Sequence, residues 1–293
     1  MANENKSGLS KDAYTISEEF IKTEDGLHNL YVQQWGNPEG VPIIFLHGGP
    51  GMGCRDKHKD VFNPDKHRVV LLDQRGSGNS NPYGSTEENT IQKLIEDIEL
   101  VRKKLNIESW HVHGMSWGAT LALCYGISYP QNVTSMVIGG IWLGSKEETD
   151  WLIGGGWQTF YPDAWERFTE MNKGSKSLKP LAYSSAFIQF YRLDDRFYPI
   201  NAEKYDDAPL KIEFHYLDND MFLPSGYILN NAKNLDMPVN IVQGRYDFVT
   251  PPKFAYKLHK VLANSTLHWT TAGHSVSDRA NFDVVKALLS QLG

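Results

Sequence analysis

The sequence predicts an α/β protein in which a mostly parallel central sheet is flanked by helices and interrupted by a mainly helical insertion over 143–235. Two observations carry this. Short runs rich in Val, Ile and Leu alternate with stretches of helical periodicity, the order that a parallel sheet covered on both faces requires. The alternation then stops between 143 and 235, where Trp and Tyr are frequent, Gly154, Gly155 and Gly156 stand in succession, and no run reads as a strand. It resumes afterwards, so the chain is expected to return to the same sheet. The expected division is 1–142 with 236–293 as the core and 143–235 as a helical cap, since 293 residues suit one core that carries an insertion.

Taken in order, 18–23 and 28–35 flank an Asp25-Gly26 turn signal and read as an opening β-hairpin. The runs VPIIFLHG ending at Gly48, RVVLLDQ ending at Gln74, WHVHGMS ending at Ser116 and TSMVIGGIW ending at Trp142 read as buried strands. Between the second and third, Ile91, Leu94, Ile95, Ile98, Val101 and Leu105 recur at helical spacing over 90–105, and 119–129 reads as another helix. After the insertion come the strand VNIVQG, a helix over 254–262, the strand STLHWTT and a closing helix over 282–292.

Composition narrows the function classes. Hydrophobic residues at 41% and charged residues at 22% are ordinary for a chain that buries a core. Lys+Arg 29 against Asp+Glu 35 gives a net charge of -6, with no basic surplus for nucleic acid or anionic lipid. The first twenty residues lack a secretion-type apolar run and no stretch has the length of a membrane span, so a cytoplasmic protein without membrane contact is expected. Monomer and small homo-oligomer are both compatible with this composition. Cys54 and Cys124 cannot make a disulfide framework, and neither belongs to a pair with zinc-ligand spacing. His111 and His113 lie two apart on one strand face, but no nearby carboxylate or cysteine completes a site, so strand packing is expected and no metal. No phosphate-cradling glycine loop is present, and no cofactor is expected.

The sharpest motif is Gly114-Met115-Ser116-Trp117-Gly118, placed after a strand and before a helix. A turn this sharp strains the serine backbone and needs glycines on either side, so the hydroxyl stands clear of the sheet as a nucleophile. Serine is weak at neutral pH and demands a base and an orienting carboxylate, in the order Ser, Asp/Glu, His. Asp247, after VNIVQG, and His274, after STLHWTT, follow in that order, each just beyond a strand's carboxyl end, where α/β sheets place their sites. Alone, Asp247 is equally a capping residue and His274 a surface residue; together with Ser116 they predict a catalytic triad on the α/β-hydrolase fold. The loop His47-Gly48-Gly49-Pro50-Gly51 is expected to offer the Gly49 N–H, with that of Trp117, to an oxyanion. His47 is expected to organise that loop, not to act as a base.

With these residues in place, the chain resembles the proline iminopeptidase family, serine exopeptidases that remove an N-terminal residue, preferentially proline, from peptides. The resemblance runs from about His28 onward. It rests on HGGPG at 47–51, DQRGSGNS at 73–80, the tryptophan-bearing elbow, GRYD at 244–247, AGHS at 272–275, and the insertion segments YPDAWERF at 161–168 and IEFHY at 212–216. It implies that Glu213 anchors the substrate's N-terminal amine, because burying an ammonium requires a carboxylate partner. A local ion pair is the other reading of Glu213. Gly48 and Trp142 are assigned to the substrate pocket, with Trp157 as a further wall, although packing explains the tryptophans almost as well. The chain departs from the family at Gly139 and Trp142, where arginine and phenylalanine are usual, at Phe214 for asparagine, and at Thr250 for a frequent cysteine. All four are expected near the pocket, which puts the preference for proline in question. The implied partner is a small peptide or an amino-acid amide or ester. A capped esterase or small-amide hydrolase with the same triad is the alternative, and a non-catalytic ligand-binding member of the fold a more distant one.

Overall fold

The computed structural model describes residues 8–174 and 206–293. Among these, eight strands form one sheet in the order β1-β2-β4-β3-β5-β6-β7-β8. The hairpin β1 (Thr15–Lys22) and β2 (Asn29–Gly36) is antiparallel, and β2 pairs antiparallel with β4 (His67–Leu72). From β4 through β3 (Val41–Leu46), β5 (Trp110–Met115), β6 (Val133–Gly139), β7 (Val239–Gly244) and β8 (Ser265–Thr270), every pairing is parallel.

The pleat sorts the apolar residues onto two faces. Ile44, Leu46, Val70, Leu72, Val112, Ile138 and Ile241 pack on one side with α1 (Ile91–Lys104) and α2 (Trp117–Ser128). Ile43, Phe45, Val69, Leu71, Val137 and Val242 face the other, against Val285 and Leu289 of the C-terminal helix. The periodicity of α1 reflects this burial: Ile91, Leu94, Ile98 and Val101 are buried, each stabilising by about 1.5–3 kcal/mol relative to exposure. Thr90 caps it by accepting from the Lys93 N–H. Helix α2, by contrast, is buried from Trp117 through Gly126, as its uniformly apolar sequence allows.

The insertion between β6 and β7 contains, in its described residues, the helices α3 (Lys146–Ile153), α4 (Pro162–Met171), α5 (Ala208–Leu217) and α6 (Tyr227–Ala232). Its part over 175–205 lies outside the described residues. Helices α7 (Pro252–Val261) and α8 (Arg279–Ser290) complete the chain. Two boundaries next to the Ser116 turn differ from expectation. The strand expected to reach Trp142 ends at Gly139, because Gly140 turns to a φ of +55° that a strand cannot continue. Helix α2 begins at Trp117, directly after Ser116, two residues earlier than its apolar pattern suggests.

The loop after β4 is anchored by a buried charge. Arg75, 2% exposed, donates through Nε and Nη2 to both oxygens of Asp97 on α1 (2.6 and 2.8 Å), and through Nη1 to Asp25 of the first hairpin turn (2.7 Å) and the Glu88 carbonyl (2.9 Å). A guanidinium removed from water is tolerated only when its donors are matched in this way. Replacing Asp97 by alanine is expected to lower the unfolding free energy by about 3–5 kcal/mol. It should appear as a lower urea midpoint with an unchanged slope; a midpoint equal to the parent's would contradict this role.

Candidate active site

Ser116 sits between β5 and α2 with φ 57° and ψ −127°, a conformation that costs a non-glycine residue about 1–3 kcal/mol. Surrounding contacts impose it. The Ser116 N–H donates to the Gly139 carbonyl at 2.9 Å, and its own carbonyl accepts from Ala119 N–H at 2.9 Å to open the helix. The flanking glycines are contact requirements: a Cβ on Gly114 would lie 2.4 Å from the Gly118 carbonyl oxygen, and one on Gly118 would lie 2.1 Å from that of Leu46. Strand and helix thus approach more closely at the elbow than any side chain permits.

Loops after β7 and β8 bring Asp247 and His274 together, with Asp247 Oδ2 accepting from His274 Nδ1 at 2.9 Å. Both are buried. Asp247 is saturated with donors: the N–H groups of Val249 (3.0 Å) and Thr250 (2.8 Å) reach Oδ1, while Gln243 Nε2 (2.9 Å) and Thr250 Oγ1 (2.8 Å) reach Oδ2. The imidazole stands beside the elbow, since the position of a Cβ on Gly140 is 3.0 Å from His274 Cε1 and 3.5 Å from the Ser116 nitrogen. Two further residues therefore belong to this arrangement. Gly140 leaves room for the imidazole, and Gln243 ties Asp247 to the Thr250 carbonyl (3.1 Å) and, through its Oε1, to the Ile141 N–H (3.1 Å). Neither was singled out in the sequence; an amide inside the apolar run VNIVQG was the available signal for Gln243.

The loop after β3 lies on the opposite side of Ser116. His47 is fully buried, and burial drives its pKa down to about 4. The neutral ring accepts from the Gln74 N–H through Nε2 (3.1 Å) and donates through Nδ1 to the Gly48 carbonyl (2.9 Å). Gln74 in turn donates to the His47 carbonyl (3.0 Å) and accepts from Trp117 Nε1 (2.8 Å), joining this loop to the elbow. Gly49 has a φ of +117°, and among the described residues no backbone carbonyl accepts its N–H. Trp117, at the first position of α2, likewise has an N–H without an intrahelical acceptor. The loop is tied to its neighbour by Asp73, which accepts from the Cys54 (2.6 Å) and Asn79 (2.9 Å) N–H groups; a Cβ on Gly78 would fall 2.2 Å from its carboxylate.

These elements open onto a pocket. Gly49, Pro50, Ser116 and Trp117 line it from the sheet side; Trp142, Leu152, Glu213, Leu217 and Met221 line it otherwise. Glu213 and Trp142 thus share a cavity with Ser116. Gly48 is not among the lining residues; a Cβ there would contact the Met115 carbonyl and Ser116 Cβ behind the site. Trp157 is packed within the insertion, donating to the Leu152 carbonyl and stacking edge-on against Trp165. Of the four departures expected near the pocket, Trp142 is the lining one. Thr250 lies behind the site on Asp247, Gly139 is closed in by the Val242 carbonyl, and Phe214 on α5 packs against the main apolar cluster.

Helix α5, which carries Glu213, rests directly on the motif loops. Gly51 and Gly76 admit it, since a Cβ on either would lie 2.6 Å from the Pro209 carbonyl oxygen and 2.9 Å from Ile212 Cδ1 respectively. Tyr216 packs on Trp117 with ring centroids 4.6 Å apart and planes tilted by 58°, and donates to Asn89 Oδ1 at 2.9 Å, while His215 Nε2 meets the Asn89 carbonyl at 2.9 Å.

Other candidates have packing roles. His111 and His113 bond Ser135 Oγ and the Val137 carbonyl, each at 2.7 Å, and burial lowers both pKa values. Among the described residues no group of three His, Cys, Asp or Glu could hold a metal, and no helix is long and apolar enough to cross a membrane. Cys54 and Cys124 are buried, and burial pushes both thiols up. A disulfide reagent is therefore expected to modify neither cysteine in the native protein and both after denaturation, read by mass spectrometry; rapid native labelling of Cys54 would contradict its placement.

Known proteins share the fold and the sequence family of this chain. Residues 41–279 match the family described as the alpha/beta hydrolase fold. A proline iminopeptidase from Arabidopsis thaliana is 38% identical, covering 94% of this chain and 79% of that protein, and one from Neisseria gonorrhoeae is 37% identical, covering 86% and 88%. A solved proline iminopeptidase from Mycobacterium smegmatis superimposes with a TM-score of 0.67 at 20% identity, covering 94% of this chain and 98% of that one. An α/β fold hydrolase from Bacillus anthracis gives 0.68 at 20%, covering 96% and 100%. By sequence identity sustained along most of its length, the chain belongs to the proline iminopeptidase family of the α/β hydrolase fold.

Proposed function

We propose that this chain is a serine exopeptidase that releases the N-terminal residue, proline or another small apolar residue, from short peptides through an acyl-enzyme. The observation that carries this is the sharing of one pocket by Ser116 and Glu213, with the His274–Asp247 pair beside Ser116.

Ser116 Oγ attacks the carbonyl carbon of the first residue while His274 Nε2 takes its proton. The negative charge on the carbonyl oxygen is met by the N–H groups of Gly49 and Trp117. Collapse breaks the C–N bond, and the imidazolium returns the proton to the leaving amine. Water then attacks the acyl-enzyme with His274 as base, releasing the amino acid and restoring the Ser116 hydroxyl. Asp247 holds the Nδ1–H tautomer and stabilises the imidazolium; its other donors keep the carboxylate in place during proton transfer. Gln243, Thr250 and Gly140 act through His274 and Asp247 as positioning residues.

Glu213 receives the substrate's ammonium group and fixes its distance from Ser116, so one residue fits beyond the scissile bond. In this reading 143–235 serves as a cap over a core of 1–142 and 236–293, and the enzyme works in the cytoplasm as a monomer or small homo-oligomer.

Ser116→Ala should reduce kcat at least about 10⁴-fold without changing the circular dichroism spectrum; an active variant would sink the assignment. Glu213→Gln should cost proline arylamide about 30-fold or more in kcat/KM, the effect of removing one partner of a buried charge pair. A short-chain aryl ester should change by less than about threefold, because it brings no amine. Equal losses on both would exclude the amine as the target of Glu213.

A further inference from the structure

The turn that follows α5 has a backbone its residues do not favour. Asp220, Met221 and Phe222 have φ of 49°, 56° and 55° in succession, and none is glycine. An L residue there places its Cβ against the following carbonyl oxygen, so three in a row are sustained by their surroundings. The supports are visible. Gln92 of α1 donates through Nε2 to the Phe222 carbonyl at 2.7 Å, and the Phe222 ring packs on His215 and Tyr216 with centroids 5.0 and 5.4 Å apart.

The consequence is the direction of one side chain. Met221, 3% exposed, lines the pocket that holds Ser116, Trp142 and Glu213. It runs alongside Gly144, where an added Cβ would lie 3.6 Å from both Met221 Cβ and Cγ. Among the described residues, Leu152, Leu217 and Trp142 extend this apolar wall. The wall presents, among the described residues, no counter-charge other than Glu213, so a charged side chain would be stripped of water without a partner there.

We propose that Met221 is a specificity-determining residue: the left-handed turn holds its thioether as the wall that restricts the acyl pocket to a small, uncharged first residue. This rests on the exopeptidase reading above. The strain and the selectivity separate by mutation. Met221→Ala removes the wall and keeps the backbone, Met221→Gly removes both, and Asp220→Gly relieves the backbone while keeping the wall.

The experiment is kcat/KM for alanine, proline, leucine and phenylalanine arylamides and for aryl esters from acetate to hexanoate, with Tm of each variant. Both Met221 variants should raise the leucine-to-alanine and hexanoate-to-acetate ratios at least tenfold. Asp220→Gly should raise Tm and leave the ratios within twofold. Ratios unmoved in both Met221 variants, or raised equally by Asp220→Gly, would overturn the proposal. Should the parent cleave no arylamide, the exopeptidase reading fails by itself, and the ester ratio alone decides the role of Met221.

Discussion

The backbone of Ser116, at φ 57° and ψ −127°, is the constraint to which the site is referred. A serine does not adopt this conformation unaided. It is held by the Gly139 carbonyl on one side and the start of α2 on the other, with Gly114 and Gly118 bare because strand, helix and the Leu46 carbonyl converge there. The hydroxyl needs no induced movement to stand clear of the sheet. Around it, the ends of β3, β6, β7 and β8 each deliver one component: the Gly49 loop, the Gly140 turn, Asp247 and His274. The parallel sheet matters because it brings four distant loops to one edge.

A second layer fixes what that edge recognises. Asn89 and Tyr216 join the loop after β4 to α5, and Tyr216 packs on Trp117, whose indole N–H is held by Gln74. The amine-binding carboxylate proposed at Glu213 and the oxyanion donor proposed at Trp117 are therefore linked through α5 and the tilted contact of the Tyr216 and Trp117 rings. Arg75, itself buried and bound to Asp97 and Asp25, secures the base of this assembly. These contacts give the motif DQRGSG a physical content: Asp73 ties two loops, Arg75 anchors them, and Gly76 and Gly78 admit Ile212 and the Asp73 carboxylate.

Much of this is legible in the amino-acid order. The alternation of apolar runs specifies a parallel sheet, and an elbow motif between strand and helix marks Ser116, because sterics tie each signal to a single geometry. The residues that escape depend on contacts across the fold. Gly140 ends β6 early through a turn set by its neighbours, where the run TSMVIGGIW reads on as strand. Thr250 and Gly139, expected near the pocket, do not line it: Thr250 turns its hydroxyl to Asp247 and Gly139 offers its carbonyl to the Ser116 N–H, contacts across the fold that the sequence does not display. The left-handed run at Asp220, Met221 and Phe222 opposes the local preference of Met221 and Phe222 and could not be read before the structure.

The central claim is that a serine nucleophile and an amine-binding carboxylate act on one substrate end. The most direct measurement compares kcat/KM of the parent enzyme for proline arylamide with that for its N-acetylated counterpart. The account predicts turnover of the free-amine substrate and at least about a hundredfold loss on acetylation, which removes the charge that Glu213 would bind. Equal turnover of the two would contradict it and leave the pocket without a role for that carboxylate.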